Sequence, residues 1–200
     1  CVVVHSPAFK QHGREGTVVV VLNEVFQRAA CVVGDLRPVP GAGVARLHRL
    51  GELLLDKLDA EVLDKNLYAV VRLINTGSGL IPTTSAQKRV ELAELNLRAG
   101  KKSIDNSGFD SARVYFNKGI ALLPPNHGRI YSNLSLDLFS SAAESEYCVG
   151  DLIKMERHCR DIITRPSISL REKRRAFTTL MNGLNGQGKC TETVDLCIEV

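Results

Sequence analysis

The chain has 200 residues, of which 44% are hydrophobic and 24% charged, with a formal net charge of +4. This is globular composition, long enough to bury a core, and it excludes extended disorder. Aromatic residues are only 5% and Trp is missing, which disfavours a base-stacking platform, and so small a charge gives no strong grip on a nucleic-acid backbone.

Residues 1–42 differ from the rest. Thr17, Val18, Val19, Val20, Val21 and Leu22 form a β-branched run that predicts a short buried strand. Residues 23–33 read as a short helix with Asn23 as N-cap. Pro38, Pro40, Gly41 and Gly43 then predict a linker.

From Val44 the pattern becomes helical. Leu47, Leu50, Leu54 and Leu58 form one apolar stripe, and Leu63, Leu67, Val70 (or Val71) and Ile74 the next, stopped by Gly77 and Gly79. The strongest helix spans 85–107, with Val90, Ala93, Leu97, Gly100 and Ile104 on one face. Further helices are predicted over 109–123, 130–149, 151–163, 170–184 and from about residue 191. The expected fold is all-α: an antiparallel array of helix pairs over 43–200, preceded by a short strand-containing segment over 1–42.

The helices carry an internal repeat. Tetratricopeptide (TPR) units span about 34 residues and place small residues where paired helices cross. Asn96, Ala99 and Gly100, followed by Ala112, Phe116 and Gly119, with Pro124 closing the unit, match that pattern. A looser match uses Phe139, Ala142 and Ala143, then the stripe Leu152, Met155, Cys159 and Ile162; a third uses Phe177, Leu180, Leu184, Cys190, Thr193 and Cys197. Units that cannot bury their own faces must stack, so a short solenoid is expected.

The stretch from Leu92 to Lys102, reading LAELNLRAGKK, resembles the helical region that follows the AAA/STAND-type ATPase module in large signalling proteins. In that family the ATPase is joined to a serine/threonine protein kinase domain and a sensor histidine kinase. The likeness includes Ile74-Asn75-Thr76-Gly77 with Leu80-Ile81, then Phe109, Ala112, Tyr115 and Gly119, and the Ala142-Ala143-Glu144 to Gly150-Asp151 stretch. Leu47-His48 with Gly51 and Leu53-Leu54-Leu55 is similar to the family's entry into this region. Asn23 to Ala30 resembles a His-Asp-x-x-Gln-x-Ala-Ala segment at the winged-helix end of the ATPase; Asn23 stands where the family has His, and residues 1–16 do not match. The resemblance implies a non-catalytic regulatory or protein-interaction region. Its partner would be a separate protein or the parent's own ATPase or kinase domain, with ATP and Mg bound only upstream. A free-standing TPR-like adaptor is the alternative. Cys1 in place of Met fits an interior piece of such a protein.

Candidate chemistry is sparse. Gly183 to Cys190 (GLNGQGKC) fits the phosphate-loop pattern except that Cys190 replaces the Mg-binding hydroxyl, and it follows a helical stripe where the motif requires a strand. It is read as an inter-helix turn. His158-Cys159 suggests a thiol–imidazole pair, but helix neighbours do not face one another and Cys159 lies on the apolar stripe. His48 and His127 have no partner at metal-ligand spacing. Six cysteines form neither a C-x-x-C pair nor a zinc pattern and are expected as reduced, mostly buried thiols of a cytoplasmic protein, which leaves the Asn133-Leu134-Ser135 sequon unused. No catalytic, cofactor or metal site is assigned. Arg171, Lys173, Arg174 and Arg175, with Arg165 nearby, are the candidate contact for an anion or acidic partner. No membrane span is expected, because the longest apolar run, 18–22, is far short of about 20 residues.

Overall fold

The structure is a computed structural model that describes residues 42–81 and 85–198. The strand expected at 17–22, the helix at 23–33, Cys1, Cys31 and the linker up to Gly41 lie outside the described residues. Within them the chain is all-α. The helices are α1 (Ala42–Lys57), α2 (Ala60–Lys65), α3 (Leu67–Thr76), α4 (Ala86–Asp105), α5 (Phe109–Leu122), α6 (His127–Ile130), α7 (Ser132–Val149), α8 (Leu152–Ile163), α9 (Leu170–Gly186) and α10 (Cys190–Ile198), with a 3-10 turn at Ser78–Leu80.

Several boundaries differ from the sequence expectation. Gly43, assigned to the linker, lies in the first turn of α1. The stripe from Leu63 to Ile74 is broken at Asn66, whose side-chain amide donates to the Val62 carbonyl at 2.9 Å and caps α2. Asp59 starts that short helix by accepting from the Val62 amide, the usual N-cap arrangement. The helix expected from residue 130 begins instead at Ser132, after the single turn of α6.

The helices pack in chain order. α3 lies on both α1 and α4, α4 packs on α5, α5 on α7, α7 on α8, α8 on α9 and α9 on α10. Short connections make these neighbours antiparallel. In addition α4 touches α7 and α7 touches α9, so these three form one row, and α5 and α8 each bridge two of its members. Apolar burial follows this order as one continuous cluster from Leu63 to Leu196. Ala99, Ala112, Phe116, Leu138, Met155, Cys159 and Leu180 are completely buried; burying a ring such as Phe116 contributes about 2 to 3 kcal/mol.

Chain reversals use one recurring device. At the end of α4 the Ser107 amide donates to the Ile104 carbonyl and the Gly108 amide to the Ser103 carbonyl. Gly150 and Asp151 repeat the arrangement after α7, and Gly188 and Lys189 after α9. This is the Schellman closure, which needs a left-handed residue at its centre. Gly150 (φ 82°) and Gly188 (φ 74°) supply it without strain, and Ser107 (φ 58°) supplies it with a Cβ.

Candidate interaction surface

The residues singled out for helix pairing are core residues. Asn96, Ala99 and Gly100 are buried on α4, Ala112, Phe116 and Gly119 on α5, and Ala142 and Ala143 on α7. Pro124 is half-buried just beyond α5, and the residue before it, Leu123, is extended as proline requires. A Cβ at Gly100 would overlap the Phe116 ring, and one at Gly119 would come within 2.6 Å of Leu138 Cδ2. Gly100 thus leaves room for the Phe116 ring between α4 and α5, and a side chain at Gly119 would displace Leu138 at the α5–α7 contact.

Between α1 and α4 the packing opens. A cleft of about 580 Å³ has Ile74, Ile81, Leu92 and Leu95 in its lining, with Leu53 among the residues of α1 that face it. Its edges are charged in both senses: Arg49, Glu52 and Asp56 from α1, Lys88 and Glu91 from α4. Lys88 reaches Glu52 across the opening at 3.4 Å. His48 anchors the α1 side, its Nδ1 lying 2.8 Å from the Ile74 carbonyl oxygen. Leu53 is 51% exposed, an apolar side chain presented to solvent at the edge of an apolar recess.

The other contacts of the row are closed by ion pairs. Lys101 of α4 meets Asp137 of α7 at 2.9 Å. Arg175 of α9 places Nε and Nη2 on the two oxygens of Glu144 at 2.9 and 2.8 Å, with Asp137 3.5 Å away. This bidentate pair binds α9 to α7, so Arg175 is committed within the molecule. Arg171 and Arg174 are exposed and Lys173 is partly exposed. Arg165, expected near this cluster, instead covers the Phe139 ring at 4.6 Å and donates to Ser135 Oγ at 2.6 Å.

A buried polar chain joins α5, α7 and α8. Asn117 Nδ2 donates to Glu146 Oε1 at 2.8 Å, and Asn117 Oδ1 lies 3.1 Å from His158 Nε2. Because the Asn117 oxygen can only accept, His158 carries its proton on Nε2 and leaves Nδ1 bare. That Nδ1 is buried and has no hydrogen-bond partner among the described residues. Burial holds the His158 pKa below the ordinary imidazole value, with Arg157 and Lys154 adding to the effect and Glu146 and Asp161 opposing it. Arg113 approaches Glu146 at 3.4 Å and Asp110 at 3.2 Å, which supplies the buried carboxylate with the counter-charge it requires. Glu146 and His158 are 1% and 2% exposed, so the chain of groups holds helices together and offers no face to a substrate. Glu144 and Glu146, only two positions apart and not expected to act as an acid/base pair, lie on opposite sides of α7, Glu146 on Asn117 and Glu144 on Arg175, as helix geometry demands. Asn117 and Arg113 gave no signal because their role depends on α7 and α8.

The phosphate-loop likeness is explained by helix chemistry. The turn expected over the whole of 183–190 is confined to Gln187, Gly188 and Lys189, since α9 runs through Gly186. Gly183 is buried in that helix, where a Cβ would collide with the Met155 terminal methyl, and Gly188 is the left-handed residue of the closing turn. Cys159 is fully buried, and burial pushes its thiol up to about 12, so no thiolate forms beside His158 at neutral pH. Of the three cysteines whose side chains are described, Cys159 is buried while Cys148, near the end of α7, and Cys190, at the start of α10, are exposed. Ser135 of the sequon is buried on α7. Among the described residues no cluster of His, Cys, Asp and Glu could hold a metal ion, and no helix is long and apolar enough to cross a membrane. Comparison with protein-family models, curated proteins and solved structures returns no match.

Proposed function

We propose that the chain is a non-catalytic, TPR-like helical-repeat region that acts by binding a protein partner, within a larger ATP-dependent signalling protein of the kind its sequence resembles. The helix order supports the repeat: α4 with α5, α7 with α8 and α9 with α10 are successive pairs, and the first members of the pairs touch one another. The same interval separates Gly100 from Ala112 and Ala143 from Met155, and all four are buried. Stacked repeats bury their apolar faces on their neighbours, and the single apolar cluster running from Leu63 to Leu196 is consistent with such stacking.

The observation that carries the partner-binding reading is the α1–α4 cleft. Elsewhere in the row, α4, α7 and α9 close on one another through Asp137, Glu144 and their cationic partners. Between α1 and α4, which Lys88 and Glu52 bridge at 3.4 Å, an apolar lining with a mixed-charge edge stays open, the composition of an interface core with a polar rim. A protein segment, including one from the parent's own ATPase or kinase domain, fills this opening with apolar side chains and pairs with Arg49 and Glu91.

A photo-reactive amino acid placed at Leu53 in the intact parent protein tests this directly. It is expected to cross-link to one discrete segment, whereas the same probe at Ile153, exposed on α8, does not. Introducing Leu95→Asp should abolish the Leu53 cross-link. Cross-linking that is indifferent to position, or ATP turnover by the purified chain itself, overturns the reading.

A further inference from the structure

A second cleft, of about 470 Å³, lies between α3 and α5 and shares no residue with the α1–α4 opening. Its two cations, Arg72 and Lys118, have no carboxylate partner among the described residues. The one acid in the lining, Asp110, is already 3.2 Å from Arg113 Nη2. The cleft thus carries two unneutralised positive charges around a recess. Tyr115 forms one wall, held by stacking on Tyr68 with ring centroids 5.9 Å apart and planes 24° apart. Burial keeps its phenol above the ordinary value, so the hydroxyl remains a hydrogen-bond donor at neutral pH. Val114 lies beside it, 63% exposed, and Ser111 adds a second hydroxyl.

We propose that this cleft binds a single phosphate or carboxylate group carried on an apolar stem. Arg72 and Lys118 take the charge, the Ser111 and Tyr115 hydroxyls donate to the anion's oxygens, and the Tyr115 ring and Val114 cover the stem. Here the two cations flank a recess with an aromatic wall, which separates this chemistry from that of a bare cluster of exposed cations such as Arg171 and Arg174. Charge-assisted bonds from two cations fix the anion, and the apolar wall selects a substituted anion over a bare one. The site is independent of the α1–α4 docking reading, and either can fail alone.

The test is an NMR titration of the full 200-residue chain at constant ionic strength with phenyl phosphate, inorganic phosphate and phenol. Phenyl phosphate should shift the Arg72, Lys118 and Tyr115 side-chain signals saturably, and bind about tenfold more tightly than inorganic phosphate; phenol should leave them unmoved. The double variant Arg72→Gln/Lys118→Gln should weaken phenyl phosphate binding by about tenfold or more with its urea midpoint unchanged. A short peptide bearing phosphotyrosine, compared with phenyl phosphate, assigns the anion to a protein side chain if it binds more tightly and to a free small molecule if it does not. Equal shifts at Arg171 and Arg174, or undiminished binding by the double variant, overturn the proposal.

Discussion

Asn75 and Asn96 face each other across the α3–α4 contact and exchange both amide hydrogen bonds, at 2.8 Å from Asn75 Nδ2 to Asn96 Oδ1 and 3.0 Å in return. Asn96 is fully buried and also donates to the Leu92 carbonyl at 2.8 Å. Two amides that satisfy one another can sit inside an apolar contact without a desolvation penalty, and they fix the register of the helices that carry them.

Removing one partner is therefore costly. Asn75→Ala should destabilise the chain by about 1 to 3 kcal/mol, because the Asn96 oxygen is left buried and unpaired. Urea denaturation measures this. The double variant Asn75→Ala/Asn96→Ala should lose less than the sum of the single changes, and strict additivity would show that the pair is not coupled.

Gly100 is set by the Phe116 ring against which it packs. In an exposed helix Gly→Ala stabilises by about 1 kcal/mol; here Gly100→Ala should destabilise by about 1 to 3 kcal/mol through overpacking. Adding Phe116→Leu to Gly100→Ala should recover part of that loss relative to Phe116→Leu alone. A thermal-melt series on the four proteins decides it.

Ser107 occupies the left-handed position of the α4–α5 turn with φ 58°. Ser107→Gly should stabilise the fold by about 0.5 to 1 kcal/mol, since glycine adopts this conformation without steric penalty. Gly150→Ser, at the equivalent position after α7, should destabilise by a similar amount. Opposite signs in denaturant midpoints are the expected result.

His158 makes stability depend on pH. Its folded pKa lies below the ordinary imidazole value of 6.5 because of burial. The unfolded chain therefore takes up a proton before the folded chain does. The stability associated with neutral His158 is present above about pH 6.5 and is lost as pH falls from that value through the folded pKa, by up to about 1.4 kcal/mol per pH unit. His127, likewise lowered by burial and by Arg165, acts in the same direction. Urea midpoints measured between pH 8 and 5 should fall toward acid, and His158→Gln should flatten that slope. An unchanged slope would show that His158 does not titrate differently in the two states.

Helical periodicity made most of the array legible. The stripes starting at Leu47, Val90 and Leu152 place the corresponding helices to within a few residues, and the helices expected from 151 and 170 begin at Leu152 and Leu170 behind side-chain caps, Asp151 and Ser169, the latter in a reciprocal capping box with Glu172. α4 buries more than the one apolar face its periodicity predicts. Leu92, Leu95, Asn96 and Ser103 are also buried, because α4 is contacted by α3, α5 and α7 and no single stripe can serve three neighbours. The cleft residues were equally silent in sequence: Arg49 and Glu91 have the character of solvated helix charges until α1 and α4 are placed on either side of a gap.

The sequence by itself determined that these residues form helices, where most of them stop, and which small residues permit close contact. Those outcomes rest on local geometry and hydrophobic periodicity, which operate within one helix or between chain neighbours. Only the tertiary structure decided which charges are paired, that Glu146 points inward while Glu144 points to Arg175, and that the row opens at α1. These depend on side chains brought together from distant parts of the chain, where burial and partner geometry set the energy. Among the described residues, Arg72 and Lys118 beside Tyr115 have no carboxylate partner, whereas Lys101 and Arg175 are committed to ion pairs along α4, α7 and α9.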